Sequence, residues 1–189
     1  MRYREFQIQL MKRRGGVGKD ISNLRPSGSA VNNAAKSSTG PVSFMDVDSE
    51  LTKEVAQGGR RGALMLSISC LHPDSDQFIL KKQDSTKVNG ANISVQFTDE
   101  FMECVEKDAM FVQRYPIYTD ITGLDLDKLP LNEKVWDGDK CYKLIKAMDL
   151  WKSFVHCSWN KAEPGIMFCD KHWEFSPDSV YPQYKGVLS

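Results

Sequence analysis

Apolar and polar positions along the chain alternate between two periods. From Arg2 to Arg14 the apolar Phe6, Ile8, Leu10 and Met11 suit a helix, which Gly15-Gly16 stops. Val17 to Leu24 reads as a short strand, left before Pro26. Ser27 to Thr39 is rich in Ser, Asn, Ala and Gly and has no period, so a long loop is expected. Phe44, Val47, Leu51 and Val55 return at helical spacing across Ser43–Ala56. Ala63 to Ser69 is an apolar run with the character of a buried strand. His72-Pro73-Asp74 predicts a turn, with Asp74 as N-cap of a helix through Lys82 and Phe78 and Ile79 inward.

A polar loop, Asp84–Gly90, precedes a strand over Ala91–Phe97 with Ile93, Val95 and Phe97 on one side. Thr98 is placed to cap a helix that buries Phe101, Met102 and Val105. The pattern dissolves from Tyr115 to Asp139, where Pro116, Pro130 and many acids predict an irregular surface excursion or small insertion. Cys141–Trp159 reads as one helix with a wide stripe of Leu144, Ile145, Met148, Trp151, Phe154 and Val155, which suits a core. Pro164-Gly165 ends it; a short strand, Ile166–Cys169, and a helical turn or two follow. Alternating helices and strands predict an α/β fold around a parallel sheet. No internal repeat is visible, and residues 1–189 read as one domain's worth of chain that stops as a new strand begins at Val187.

Charge narrows the partners. The 25 basic and 25 acidic residues cancel, so no broad attraction to nucleic acid or to an anionic membrane is indicated. Local basic clusters remain at Lys12-Arg13-Arg14 and Arg60-Arg61. No run is apolar enough to span a bilayer, and the first residues lack the apolar core of a secretory signal; a cytoplasmic location is expected. Cys70, Cys104, Cys141, Cys157 and Cys169 are scattered without a CxxC pair, and read as free thiols packed as small hydrophobes.

Enzymatic signatures are sparse. His72, His156 and His172 are far apart, no metal site is expected, and no GxSxG, HExxH or P-loop occurs. Gly15-Gly16-Val17-Gly18 follows a helix where a dinucleotide fingerprint follows a strand. The stretch Val55–Leu66 is more telling. Three glycines and two adjacent arginines lie between a helix and a buried strand. Glycine permits close backbone approach, and arginine offers a fixed fork of donors to phosphate or carboxylate. A surface turn with solvated charges is the bland alternative. Arg25, the small polar loop Ala30–Ser38, Gln57 and Arg61 all fall at ends of alternating elements, where α/β proteins place ligands. This supports a phosphate-bearing ligand such as a nucleotide.

Several longer motifs add a family resemblance. LMKRRGGVGKDISNLRPSGS (Leu10–Ser29), STGPVSFM (Ser38–Met45), VAQGGRRGALML (Val55–Leu66), KVNGANISVQFTDEFM (Lys87–Met102), AEPGIMF (Ala162–Phe168) and SPDSVYPQYKG (Ser176–Gly186) occur in this order. Together they resemble the middle of the large, catalytic subunit of ribonucleotide reductase. The resemblance implies a partial ten-stranded α/β barrel, incomplete at both ends. It implies ribonucleoside-diphosphate reduction by thiyl-radical chemistry in the whole enzyme. The radical cysteine, in an Asn-Pro-Cys-x-Glu type motif, would follow Ser189, and the redox cysteine pair would lie beyond both ends. No catalytic residue is therefore expected here, and the chain alone is expected to be inactive and poorly behaved without complementary segments.

By the same resemblance, Arg25, Val31, Asn32 and Gln57 match effector-binding positions. Gly58, Gly59, Arg60, Arg61 and Gly62 match the specificity loop. Gly15, Gly16 and Arg61 match the substrate side, and Lys87–Asn92 a third loop. Deoxynucleoside triphosphates or ATP would be the effectors, and a homodimer the state of the complete enzyme. The motif wording is nearest to adenosylcobalamin-dependent reductases, with related wording in those served by a metal subunit. An inactive remnant, or a split piece that only binds nucleotide or a complementary chain, is the alternative.

Overall fold

Strand residues sort by size. Leu64, Leu66 and Ile68 alternate with Met65, Ser67 and Ser69 along one strand, and Ile93, Val95 and Phe97 with Ser94 and Gln96 along the next. The large aliphatic set is buried with Met45, Phe78, Ile79, Phe101 and Phe154 in one core. In the computed structural model, which describes residues 2–32, 35–55, 62–177 and 181, this alternation builds a parallel sheet. The elements run α1 (Arg2–Lys12), β1 (Gly16–Asp20), α2 (Pro41–Glu54), β2 (Ala63–Ser69), α3 (Ser75–Lys81), β3 (Asn92–Phe97) and α4 (Asp99–Glu106). They continue with β4 (Met110–Tyr115), β5 (Lys134–Asp137), β6 (Lys140–Lys146), α5 (Ala147–Lys161), β7 (Gly165–Phe168) and α6 (Cys169–Phe175).

Among the described residues the main sheet has the order β1-β2-β3-β7, all parallel. Register places Gly16 beside Ala63, and Met65 beside Asn92. Pleating then turns Gly16, Gly18, Ala63, Met65, Ser67, Asn92, Ser94 and Gln96 to the face opposite the aliphatic core. That face is small and polar, and Gln96 Nε2 donates to Ser67 Oγ across it at 2.9 Å.

The expected parallel α/β alternation is therefore present, with two corrections. Residues 110–115 form a strand that has no counterpart in the sequence reading, and residues 140–146 form a second where a helix was expected. With β5 they make an antiparallel sheet of order β4-β6-β5. Leu144 and Ile145 satisfy a helical stripe and a strand equally well; pairing of Val112 with Leu144 and Phe111 with Ile145 decides for the strand. The helix starts only at Ala147. Consequently the stretch expected to be irregular over 115–139 holds a short 3-10 turn, Leu126–Lys128, and ends in β5.

The caps differ too. Thr98 caps α4 as expected, its hydroxyl accepting from Phe101 N at 3.2 Å. Asp74 occupies the N-cap position of α3 but makes no cap bond, because its carboxylate is engaged elsewhere. The helix expected over 43–56 begins at Pro41, whose fixed φ and missing N–H suit a first turn.

Candidate functional site

Three helix-to-strand connections converge where β1, β2 and β3 begin. Here a cleft of about 540 Å³ is lined by Gly16, Gly18, Gly62, Ala63, Met65, Asn89, Gly90 and Asn92, with Val17, Leu64 and Ala91. Its floor depends on absent side chains. A methyl group at Gly62 would stand 2.9 Å from Met11 Sδ and 3.1 Å from Thr52 Cγ2. One at Gly90 would meet Ser49 O at 2.3 Å. Gly90 N also donates to the buried Ser49 hydroxyl at 2.8 Å. Bare backbone thus packs directly on α1 and α2, and Asn89 and Asn92 bring the polar side chains among the lining residues. No ionisable side chain lines it among the described residues. Gln57, Gly58, Gly59, Arg60 and Arg61, the expected reading loop, lie outside the described residues, directly before Gly62 in the chain.

The other expected residues occupy the far end of the sheet. Arg25 follows β1 on an exposed segment and donates from Nη1 to Ala30 O at 3.3 Å. Beyond it Gly28 N bonds Ser38 O at 2.9 Å, Ser38 N bonds Ser29 O at 2.8 Å, and Val31 N bonds Lys36 O at 3.1 Å. With the Ala30–Ser37 bridge these close a hairpin that carries Val31 and Asn32 near its tip. Gly15, Gly16 and Gly62 are thus brought together at the strand starts, and Arg25, Val31 and Asn32 at the strand ends. Within one chain the two groups are separated by the length of the sheet.

His72 and Asp74, legible in the sequence only as a turn and a helix cap, also tie down the chain that leads into the hairpin. His72 accepts at Nδ1 from Asp74 N at 3.0 Å and meets Leu24 O through Nε2 at 2.9 Å. An acceptor at Nδ1 and a donor at Nε2 define the neutral ring. Burial pushes the His72 pKa below its ordinary value, outweighing the opposing hydrogen bond to Leu24 O and the charge of Asp74. In the unfolded chain this ring takes a proton near pH 6.5, and in the fold it resists doing so. Its contribution to stability is thus complete above that pH and declines as pH falls below it, by up to about 1.4 kcal/mol per unit until the folded pKa is reached. Urea midpoints of parent and His72→Gln measured from pH 7.5 to pH 5 should diverge in slope; parallel slopes would contradict this.

The thiols show no activation. Burial pushes Cys70 up to about 12 and Cys141 and Cys169 up to about 11, and raises Cys104 and Cys157 as well. Among the described residues no group of His, Cys, Asp and Glu is arranged to hold a metal ion. No helix among them is long and apolar enough to cross a membrane.

The family model of the ribonucleotide reductase barrel domain matches residues 3–177. The chain belongs to the ribonucleotide reductase barrel-domain family. Its parallel sheet and helices are a portion of that barrel. It is 35% identical over 159 residues to a vitamin B12-dependent ribonucleoside-diphosphate reductase of Thermoplasma acidophilum, covering 83% of this chain and 18% of that protein. Similarity at 28% identity over 164 residues extends to a reductase of the same description from Mycobacterium tuberculosis, covering 86% of this chain and 21% of that one. A ribonucleoside-diphosphate reductase subunit alpha of Chlamydia pneumoniae is 27% identical over 173 residues, covering 85% and 17%. The reductase segment described here thus spans about a fifth of the length of these relatives.

Proposed function

We propose that this segment forms part of the substrate pocket and the effector-reading loops of a ribonucleoside-diphosphate reductase that uses thiyl-radical chemistry. The observation that carries the proposal is the glycine-floored cleft at the strand starts. It includes Gly62, which Gln57–Arg61 precede in the chain, and its lining of glycines with Asn89 and Asn92 is uncharged and open to a nucleotide. Gly15 and Gly16 would line the substrate side, and Arg61 would reach into it from the loop. Arg25, Val31, Asn32 and Gln57 would contact a deoxynucleoside triphosphate or ATP effector. The radical cysteine and the redox pair belong to other parts of the reductase.

Relatives named as vitamin B12-dependent support adenosylcobalamin as the radical source of the complete enzyme. That cofactor would supply the radical when bound. The cleft's donors suit the edges of a nucleotide and not a corrinoid ring, so no residue here is assigned to it.

Effector and substrate groups sit at opposite ends of the sheet, so a second copy can bring one copy's hairpin near the other's cleft. Exposed apolar side chains on the outer helices suit a homodimer: Phe6 on α1 is 59% exposed, and Phe44 and Val47 on α2 are 41% and 48% exposed. Arg4 lies above the Phe44 ring at 5.9 Å.

The test uses Arg61→Ala in a reductase assembled with complementary segments, assayed with and without adenosylcobalamin. Effector-dependent substrate preference, typically 5- to 150-fold in coupled systems, should collapse toward about onefold while folding is kept. An undiminished effector response in the variant would overturn the reading.

A further inference from the structure

Both stems of the hairpin that follows Arg25 close on one buried carboxylate. Ser27 donates to Asp74 from its backbone N at 2.7 Å and from its hydroxyl at 3.1 Å. At the hairpin's exit, a methyl on Gly40 would stand 2.7 Å from Asp74 Oδ2, so the backbone there is pressed against the same group. Asp74 lies on the turn after β2 and is fully buried. Its charge is met by Lys134 from β5 of the antiparallel sheet. Lys134 Nζ also donates to Ser27 O at 2.9 Å and Ser27 Oγ at 2.6 Å, which commits all three ammonium hydrogens to this stem. Two positions further on, Trp136 stands 3.5 Å from where a Gly28 methyl would be. Tyr115, the last residue of β4, donates from its hydroxyl to Asn23 O at 3.2 Å.

Lys134 and Tyr115 of the antiparallel sheet therefore bond residues on either side of Arg25, and the Trp136 ring lies over the open side of Gly28. An ammonium with every hydrogen bonded to one stem and its counter-carboxylate is a fixture and has no donor left for an effector phosphate. We propose that Lys134 and Trp136 are positioning residues for the effector-reading hairpin, and that the antiparallel sheet is the support that presents Arg25 to a nucleoside triphosphate. This rests on the reading of Arg25, Val31 and Asn32 as an effector site. Without the support the hairpin samples other geometries, and apparent affinity falls by the fraction of time the competent one is held.

The experiment compares parent, Lys134→Met, Lys134→Arg and the more exposed Trp136→Leu in the full chain. Equilibrium dialysis with each of the four deoxynucleoside triphosphates is read beside melting temperature and hydrogen exchange. Expected are about tenfold weaker binding in Lys134→Met and Trp136→Leu, faster exchange at the Gly28 and Ser38 amides, and unchanged exchange in β2 and β3. Lys134→Arg should recover part of the affinity. Parental affinity and parental exchange at Gly28 and Ser38 in both variants would overturn the proposal. A loss of affinity that only follows a loss of melting temperature would overturn it equally. A parent that binds no deoxynucleoside triphosphate would instead overturn the effector reading, while the exchange of Gly28 and Ser38 would still decide whether Lys134 fixes the hairpin.

Discussion

Gly90→Ala should lower stability by about 3 kcal/mol, a large loss for one methyl group. The residue lies where the chain enters β3, with its backbone against α2. A methyl there would stand 2.3 Å from Ser49 O and 3.0 Å from Ser49 Oγ. The nearest atom is backbone within a helix and cannot swing aside as a side-chain tip could. Either α2 moves out or the start of β3 moves away, and both changes stretch the bond from Gly90 N to the Ser49 hydroxyl. Because Asn89–Asn92 line the cleft, its shape should change with the loss of stability. Gly18→Ala is the control: it lies on the same wall with nothing within 4 Å of the added carbon, so it should cost under about 1 kcal/mol. Urea unfolding of the two variants and the parent tests this, and equal midpoints for all three would refute it.

Asp48→Ala should cost about 2–4 kcal/mol. Asp48 is fully buried near the middle of α2 and accepts from Arg4 Nε at 3.1 Å and from Lys19 Nζ. Removing the carboxylate leaves the Lys19 ammonium, itself largely buried, without its counter-charge, and α1, β1 and α2 lose the point where they meet. The lower end of the range reflects Arg4, whose side chain is more than a third exposed and can turn to water. Changing both partners, as Lys19→Met with Asp48→Leu, should recover much of the loss, since two apolar groups leave no uncompensated charge. A double variant less stable than Asp48→Ala would show that the packing, and not the charge pair, dominates.

These two sites show what could be read from the amino acids and what could not. Helix α2 was legible from Phe44, Val47, Leu51 and Val55, yet Phe44 and Val47 face outward. Its inner face is Met45, Asp48, Ser49 and Thr52, buried because each polar group has a partner on another element. An apolar period finds a helix; it does not find the inner face when that face is polar and satisfied. On α1 Phe6 is likewise exposed and Gln7 buried; its Nε2 donates to Thr52 Oγ1 at 3.3 Å, while its Oε1 has no partner among the described residues.

Strands β4 and β6 were missed because short apolar runs such as Phe111-Val112 and Leu144-Ile145 carry no decisive period, and their pairing is non-local. For the candidate site, Gly62 was legible as a backbone-approach position, whereas Gly90 read only as the end of a polar loop. That Arg25 lies at the other end was legible in principle, since a loop after a strand and a loop after a helix lie at opposite ends of a parallel sheet. Asp74 read as a helix cap, and its pairing with Lys134 gave no local signal, the two being 60 residues apart in the chain.

Helix α2 joins the two ends directly: it leaves the hairpin at Gly40 and delivers the chain at Val55 to the loop before Gly62. Its 14 residues form a stiff rod of about 21 Å. Asp48, clamped by Arg4 and Lys19, sits almost at its midpoint. Lys81 meets Asp46, Gln7 Nε2 meets Thr52 Oγ1, and Gly40 is set against Asp74, so the rod is tied along its length as well as at Asp48. It acts as a spacer that fixes the distance between the hairpin and the cleft.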